Sequence, residues 1–451
     1  MNYKFPEDFL FGVGGSAFQM EGAMLEDGKT LNTREYSFFQ TQEPREKFED
    51  PRSPAVGCDF YHKYPEDLKL MGQLGPKVFR YSIAWARIIP SKDAEPNQKA
   101  IDFYNKVIDG MLEQGITPFM DLYHADLPMW VVEEGGMIDD RFVEWYTRYV
   151  TVCFREFGDR VKYWSTVNEP MLMVFSPYCT ARSEPFHRNV EEAFKATHNM
   201  ILAHFAAVRA LREISPDGKI GMVNNYCECY ALTHDPVQVE ANERRVEMYL
   251  TLADPIILGN YPRRTREYKN TAPYITEKMQ QEIQENFAPM DFAGWNIYCP
   301  KFAEDDDTKL FGNAERKVPL PRDAYGFVSY ADCIFDSMVR LTERYNGLPL
   351  IITENGYTQQ RTPGTMELES FQHDQARIDH LREHIRACAR AVRAGTALKG
   401  YFYWSFMDSW EVKKGFNVPM GLVGVNFDTL ERRPRDSFYY YQKVIAENTV
   451  D

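Results

Sequence analysis

Short apolar runs recur along the chain at positions 10–14, 77–83, 117–122, 163–168, 219–224, 292–296, 350–354 and 400–404. Unbroken apolarity over so few residues is the pattern of a strand buried on both faces. Between these runs the apolar period lengthens. Over 100–114, residues Ile101, Tyr104, Val107, Ile108, Met111 and Leu112 recur at three- and four-residue spacing, the stripe of an amphipathic helix. Helical patterns follow over 190–214 and 375–394, the second marked by Ile378, Leu381, Ile385, Cys388 and Val392. Strand alternating with helix predicts an α/β fold with a parallel sheet. Eight alternations predict one closed (β/α)8 TIM barrel whose long βα loops form a mouth.

Composition adds limits. No Ser/Gly/Pro-rich linker divides the 451 residues, so 1–451 reads as a single catalytic domain. Most of the Trp, Tyr and Phe residues suit a deep core, and some suit stacking on sugar rings. The net charge of −14 and the lack of a basic patch argue against nucleic acid as partner. No apolar stretch reaches the ~18 residues of a membrane span. The charged start, Met1 to Asp8, lacks the apolar run of a signal peptide. The eight cysteines are scattered without a Cys-x-x-Cys pair, and read as reduced thiols. The expectation is a cytoplasmic protein, with oligomerisation left open.

A barrel places its chemistry at the C-terminal ends of its strands. Polar groups stand at those positions. Gln19 lies shortly after the first run, Arg80 in the second and His124 after the third. Asn168-Glu169 ends the fourth, Asn224-Asn225 the fifth, Asn296 and Tyr298 the sixth, Glu354 the seventh and Trp404 the eighth. A buried strand end has no structural use for a bare carboxylate, whose burial is costly. Two glutamates on separate strands are the material for glycosidic bond cleavage, which needs a proton donor and a nucleophile or base. His198 and His204 fall within a helical pattern and read as structural. Trp85 and Trp164 read as barrel packing.

The two glutamate segments, Trp164-Ser165-Thr166-Val167-Asn168-Glu169-Pro170 and Ile352-Thr353-Glu354-Asn355-Gly356, closely resemble those of glycoside hydrolase family 1, the β-glucosidase and β-galactosidase family. The openings Phe9 to Ala23 and Phe79 to Ile88, and the last strand from Gly400 to Asp408, are similar to family motifs, so the resemblance covers nearly the whole chain. It implies a retaining exo-β-glycosidase acting on a small-molecule β-glycoside or oligosaccharide, with no metal or organic cofactor. Glu354 would be the nucleophile and Glu169 the acid/base. Arg80 and Tyr298 would keep the nucleophile ionised and oriented, and Asn168 would hold the sugar 2-hydroxyl. Gln19, His124 and Glu411 would grip the remaining hydroxyls above Trp404. Asn296 would also face substrate, and Phe327 stands where an aglycone-stacking tryptophan is common.

The chain departs from the family at telling places. Ala125 follows His124 and Val412 follows Glu411 where tryptophans are usual, and Met137 follows Gly135-Gly136 in place of another. An indole offers a donor and a broad apolar face. Losing both beside O3 and O4 of the sugar points to altered selection there. Arg34, in the first long loop, is a cation that could meet an anionic substrate. Glu411 argues against a 6-phosphosugar, since a carboxylate repels phosphate. A transglycosidase using the same intermediate, and a non-catalytic glycan-binding barrel, are the alternatives.

Overall fold

The computed structural model describes residues 3–40, 53–359, 368, 372–412 and 414–451. Eight parallel strands close into a barrel. They are β1 (Leu10–Gly14), β2 (Val78–Ser82), β3 (Thr117–Asp121), β4 (Tyr163–Asn168), β5 (Lys219–Asn225), β6 (Phe292–Asn296), β7 (Leu350–Asn355) and β8 (Leu398–Trp404). β8 returns to β1 in register, with Gly400 opposite Leu10 and Trp404 opposite Gly14. All eight apolar runs are therefore strands, with ends shifted by at most two residues.

Helices cover the outside. They are α1 (Phe60–Leu74), α2 (Gln98–Glu113), α3 (Phe142–Phe157), α4 (Val190–Ile214), α5 (Glu277–Asn286), α6 (Asp332–Arg344), α7 (Gln375–Arg393) and α8 (Asp436–Glu447). Local chemistry sets several ends. Asn189 caps α4 by accepting from the amides of Glu191 and Glu192, and Thr276 caps α5 through the amide of Met279. Gly75 takes the left-handed conformation that stops α1. The outward side chains of the strands meet these helices. Trp164 packs edge-on to Phe154 of α3, and Thr166 bonds His204 of α4 at 2.8 Å. Trp85 stacks on Tyr149. His198 bonds Glu282 of α5 at 2.9 Å. Trp85 and Trp164 thus serve barrel packing and His198 and His204 are structural, as expected.

Inside the barrel, Val78, Phe119, Phe292, Ile351 and Phe402 form a separate apolar layer toward the N-terminal ends. The Phe402 ring lies over Gly12, where a Cβ would come within 2.5 Å of it. That plug closes the floor. Above it the inward positions turn polar: Arg80, Asp121, Asn296 and Trp404.

Two bulges complete this polar layer. In β4 the stretch from Ser165 to Asn168 lies against only Gly221 to Val223 of β5. In β7 the step from Ile352 to Glu354 lies against Trp295 to Asn296 of β6. Strict alternation would put Asn168 on the outer face with Trp164 and Thr166, and Glu354 on the outer face with Ile352. The extra residue reverses the parity and turns both side chains inward.

Candidate active site

A cavity of about 490 Å³ opens at the C-terminal ends of the strands. Gln19, His124, Asn168, Glu169, Asn296, Tyr298, Phe327, Glu354, Trp404 and Glu411 all line it. Arg80 sits directly beneath, fully buried.

Arg80 is the hub. One guanidinium nitrogen donates to Oε1 of Glu354 at 2.6 Å. Another donates to Oδ1 of Asn168 at 2.7 Å and pairs with Asp121. Burial alone would depress this guanidinium, but Asp121 and Glu354 outweigh it and hold its pKa above the ordinary value. The Tyr298 hydroxyl donates to the other oxygen of Glu354 at 2.7 Å. Each Glu354 oxygen thus has its own donor, one of them charged. Charge-assisted bonds of this kind favour and orient the carboxylate. Burial and the neighbouring Glu354 keep the Tyr298 hydroxyl protonated and donating.

Glu169 lives differently. It follows β4 at a left-handed position, φ 51°, from which Pro170 starts the next helix. Its one side-chain donor among the described residues is the Asn296 amide, at 3.1 Å. No cation pairs with it among the described residues. Burial, with the charge of Glu354 second, pushes its carboxyl up to about 7. The two carboxyls of one cavity thus have different surroundings, a charged and a neutral donor at Glu354 and burial with one amide at Glu169.

Asn296 ties the halves together. Its amide also donates to Asn168 at 2.9 Å, and its carbonyl accepts from Thr353 at 2.9 Å. Those contacts commit it to holding Asn168 and Glu169 in place. Asn168 uses its own amide toward His124 at 3.2 Å. The His124 ring is 3.3 Å from Asp121 on its other nitrogen and stacks against Trp404. On the opposite wall, Ser16 donates to Gln19 at 2.7 Å, and Gln19 donates to Glu411 at 3.1 Å. Burial pushes Glu411 up to about 8, against hydrogen bonds from Trp404 and Gln19. Tyr298, Phe327 and Tyr325 form a stacked aromatic wall at the mouth.

Asp121, the buried counter-charge of Arg80 and orienter of His124, escaped the sequence reading. Its signal was an acid closing an apolar run. Thr353 and Tyr325 were also missed. Asn224 turns away, donating to the Tyr249 carbonyl at 2.9 Å, and Asn225 alone of that pair lines the cavity. Ala125 and Val412 do line it. Val412 packs against the Phe18, Phe38, Trp410 and Phe416 cluster.

The family model described as glycosyl hydrolase family 1 matches residues 1–450. The chain belongs to this family. It is 35% identical to β-glucosidase A of Thermotoga maritima over 453 residues, which span 99% of each chain. A solved family 1 β-glucosidase from Thermotoga maritima superposes with a TM-score of 0.93 at 33% identity, covering 100% of this chain and 99% of that one. A relative at 32% identity, covering 99% of this chain and 91% of its own length, is the cyanidin 3-O-glucoside 7-O-glucosyltransferase (acyl-glucose) of Delphinium grandiflorum. The protein is thus a retaining glycoside hydrolase of family 1 on a (β/α)8 barrel. Among the described residues no helix is long and apolar enough to cross a membrane.

Proposed function

We propose that the protein cleaves terminal β-glucosyl or related residues in two steps through a covalent glycosyl-enzyme. The contrast between the two glutamates carries this reading. Glu354, held by Arg80 and Tyr298, attacks the anomeric carbon. The bond to the leaving oxygen breaks, and that oxygen takes the proton of Glu169. Glu169, now a carboxylate, removes a proton from water, which displaces Glu354 and restores both groups. Asn168 bonds the sugar 2-hydroxyl, an interaction that strengthens in the transition state. Gln19, His124 and Glu411 bind other hydroxyls, Trp404 forms the floor, and Phe327 meets the aglycone.

Ala125 and Val412 in the cavity wall support altered selection around glycone O3 or O4. A pocket lacking hydroxyl-binding groups no longer rejects sugars modified there. Comparison of kcat/KM for plain and O3- or O4-substituted β-glucosides tests this point. A strong preference for the unsubstituted sugar would overturn it. Trapping with a 2-deoxy-2-fluoro glycoside, followed by peptide mass spectrometry, tests the mechanism, and a label on any residue but Glu354 would refute it. The named glucosyltransferase relative supports a second reading, in which a sugar or alcohol intercepts the intermediate. Product analysis at high acceptor concentration separates transfer from hydrolysis.

A further inference from the structure

The catalytic cavity carries a cation that makes no ion pair among the described residues. Arg34 is the second residue of the helix Thr33–Gln40 and lines the cavity half-buried. Its Nε donates to the carbonyl oxygen of Ala125 at 3.0 Å. That carbonyl is presented by a left-handed turn at Ala125, φ 69°. The guanidinium makes no other side-chain bond and no ion pair among the described residues. Its end nitrogens are therefore left for the cavity.

The charges of Asp126 and Glu169 favour the cation from a distance, but no acid among the described residues pairs with it. Glu354 is taken by Arg80 and Tyr298, and Glu411 by Gln19. Both oxygens of Asp126 are buried without a partner. Glu184 shares a small adjoining cavity with Arg34, yet the two make no ion pair. Among the other cations of the cavity wall, Lys301 is paired with Glu315 at 3.0 Å. Arg182 is exposed at the mouth, again with no ion pair among the described residues. A chain of net charge −14 thus turns toward its catalytic cavity two arginines with no ion pair among the described residues. Arg34 reaches it beside Ala125, where the small side chain leaves room for a guanidinium.

A guanidinium anchored through Nε keeps its two end nitrogens in the plane that matches a carboxylate. We propose that Arg34 is a recognition site for an anionic group on the substrate, a carboxylate carried either by the glycone near O3 or by the aglycone. The proposal rests on the reading that this cavity cleaves β-glycosides. It differs from 6-phosphosugar recognition, because the wall of Glu411 and Gln19 holds a carboxyl group instead of a cation.

The test uses isosteric pairs of aryl β-glucosides, differing only in charge. One pair carries 3-O-carboxymethyl or 3-O-carbamoylmethyl on the sugar. The other carries 4-carboxyphenyl or 4-carbamoylphenyl as aglycone. The kcat/KM ratio within each pair is compared for wild type, Arg34→Lys and Arg34→Met. Because each ratio is taken within one preparation, partial misfolding of a variant cancels. The expected result is a preference of about tenfold or more for the acid in one pair, the scale of a hydrogen bond to a charged group. The pair that shows it identifies which end of the substrate bears the anion. The preference should survive in part in Arg34→Lys, vanish in Arg34→Met and shrink with added salt. No preference for either acid in wild type, or a preference that persists in Arg34→Met, overturns the proposal. Inactivity on all four compounds and on 4-nitrophenyl β-glucoside would instead refute the underlying glycosidase reading, and this proposal with it.

Discussion

The Arg80 guanidinium meets Oε1 of Glu354 at 2.6 Å beneath the catalytic cavity, with both groups buried. The same side chain pairs with Asp121, so one cation serves two carboxylates. Removing the cation leaves both acids buried and unpaired. Breaking a buried pair from one side costs about 3–5 kcal/mol. Arg80→Met should therefore lower the unfolding free energy by roughly that amount in urea titrations, as well as abolishing activity. A variant as stable as wild type would mean that the buried contacts of Arg80 with the two carboxyls do not hold the fold.

The raised carboxyl of Glu169 sets a pH limit. The group donates its proton in the first step, so it acts while protonated. Activity should be present below its pKa of about 7 and fall as pH rises through that value. The alkaline limb of kcat/KM should sit there for a substrate with a poor leaving group. Glu169→Gln should remove the limb with an activated aryl glycoside, whose departure needs no proton. A limb unchanged in that variant would assign the titration to another group.

Much of this site was legible along the chain, because apolar runs ending in polar residues mark barrel strands and their mouths. Gln19, His124, Glu169, Asn296, Tyr298 and Trp404 come together at the strand ends, where the polar positions stand in the chain. The bulges were not legible. Strict period-two reading puts Asn168 and Glu354 on the outer face, and only a break in pairing register, set by β5 and β6, returns them inward. Asp121 was hidden for a related reason. Its role depends on a partner in β2, and contacts between strands leave no local spacing to read. Arg34 was visible as a cation, but its bond to Ala125 links residues 91 positions apart.

The Tyr298 hydroxyl is one of two donors to Glu354, and the neutral one. Tyr298→Phe keeps the ring and its stack on Phe327 while deleting that bond. Hydrogen bonds to charged groups are worth about 1.5–3 kcal/mol. The variant should lose about 10- to 100-fold in kcat and, since a buried carboxylate oxygen loses its donor, about 1–3 kcal/mol of stability. Pre-steady-state measurement of the first turnover checks the step affected. An undiminished kcat would show that Arg80 alone orients the nucleophile.

Asn296 offers a test of how the acid/base is tuned. Its amide bonds the Glu169 carboxyl at 3.1 Å and favours the charged form, opposing the burial that raises the pKa. Asn296→Ala removes the opposing influence while burial remains. The Glu169 pKa should rise, the protonated acid should persist to higher pH, and the alkaline limb of kcat/KM should move upward. The same substitution frees Asn168 from a 2.9 Å bond, so kcat should also fall, by about tenfold. The two effects separate by experiment, since the limb position is independent of the absolute rate. A limb that moves down, or stays fixed while kcat drops, would show that Asn296 acts only by positioning Asn168, and that burial and Glu354 alone set the acidity of Glu169.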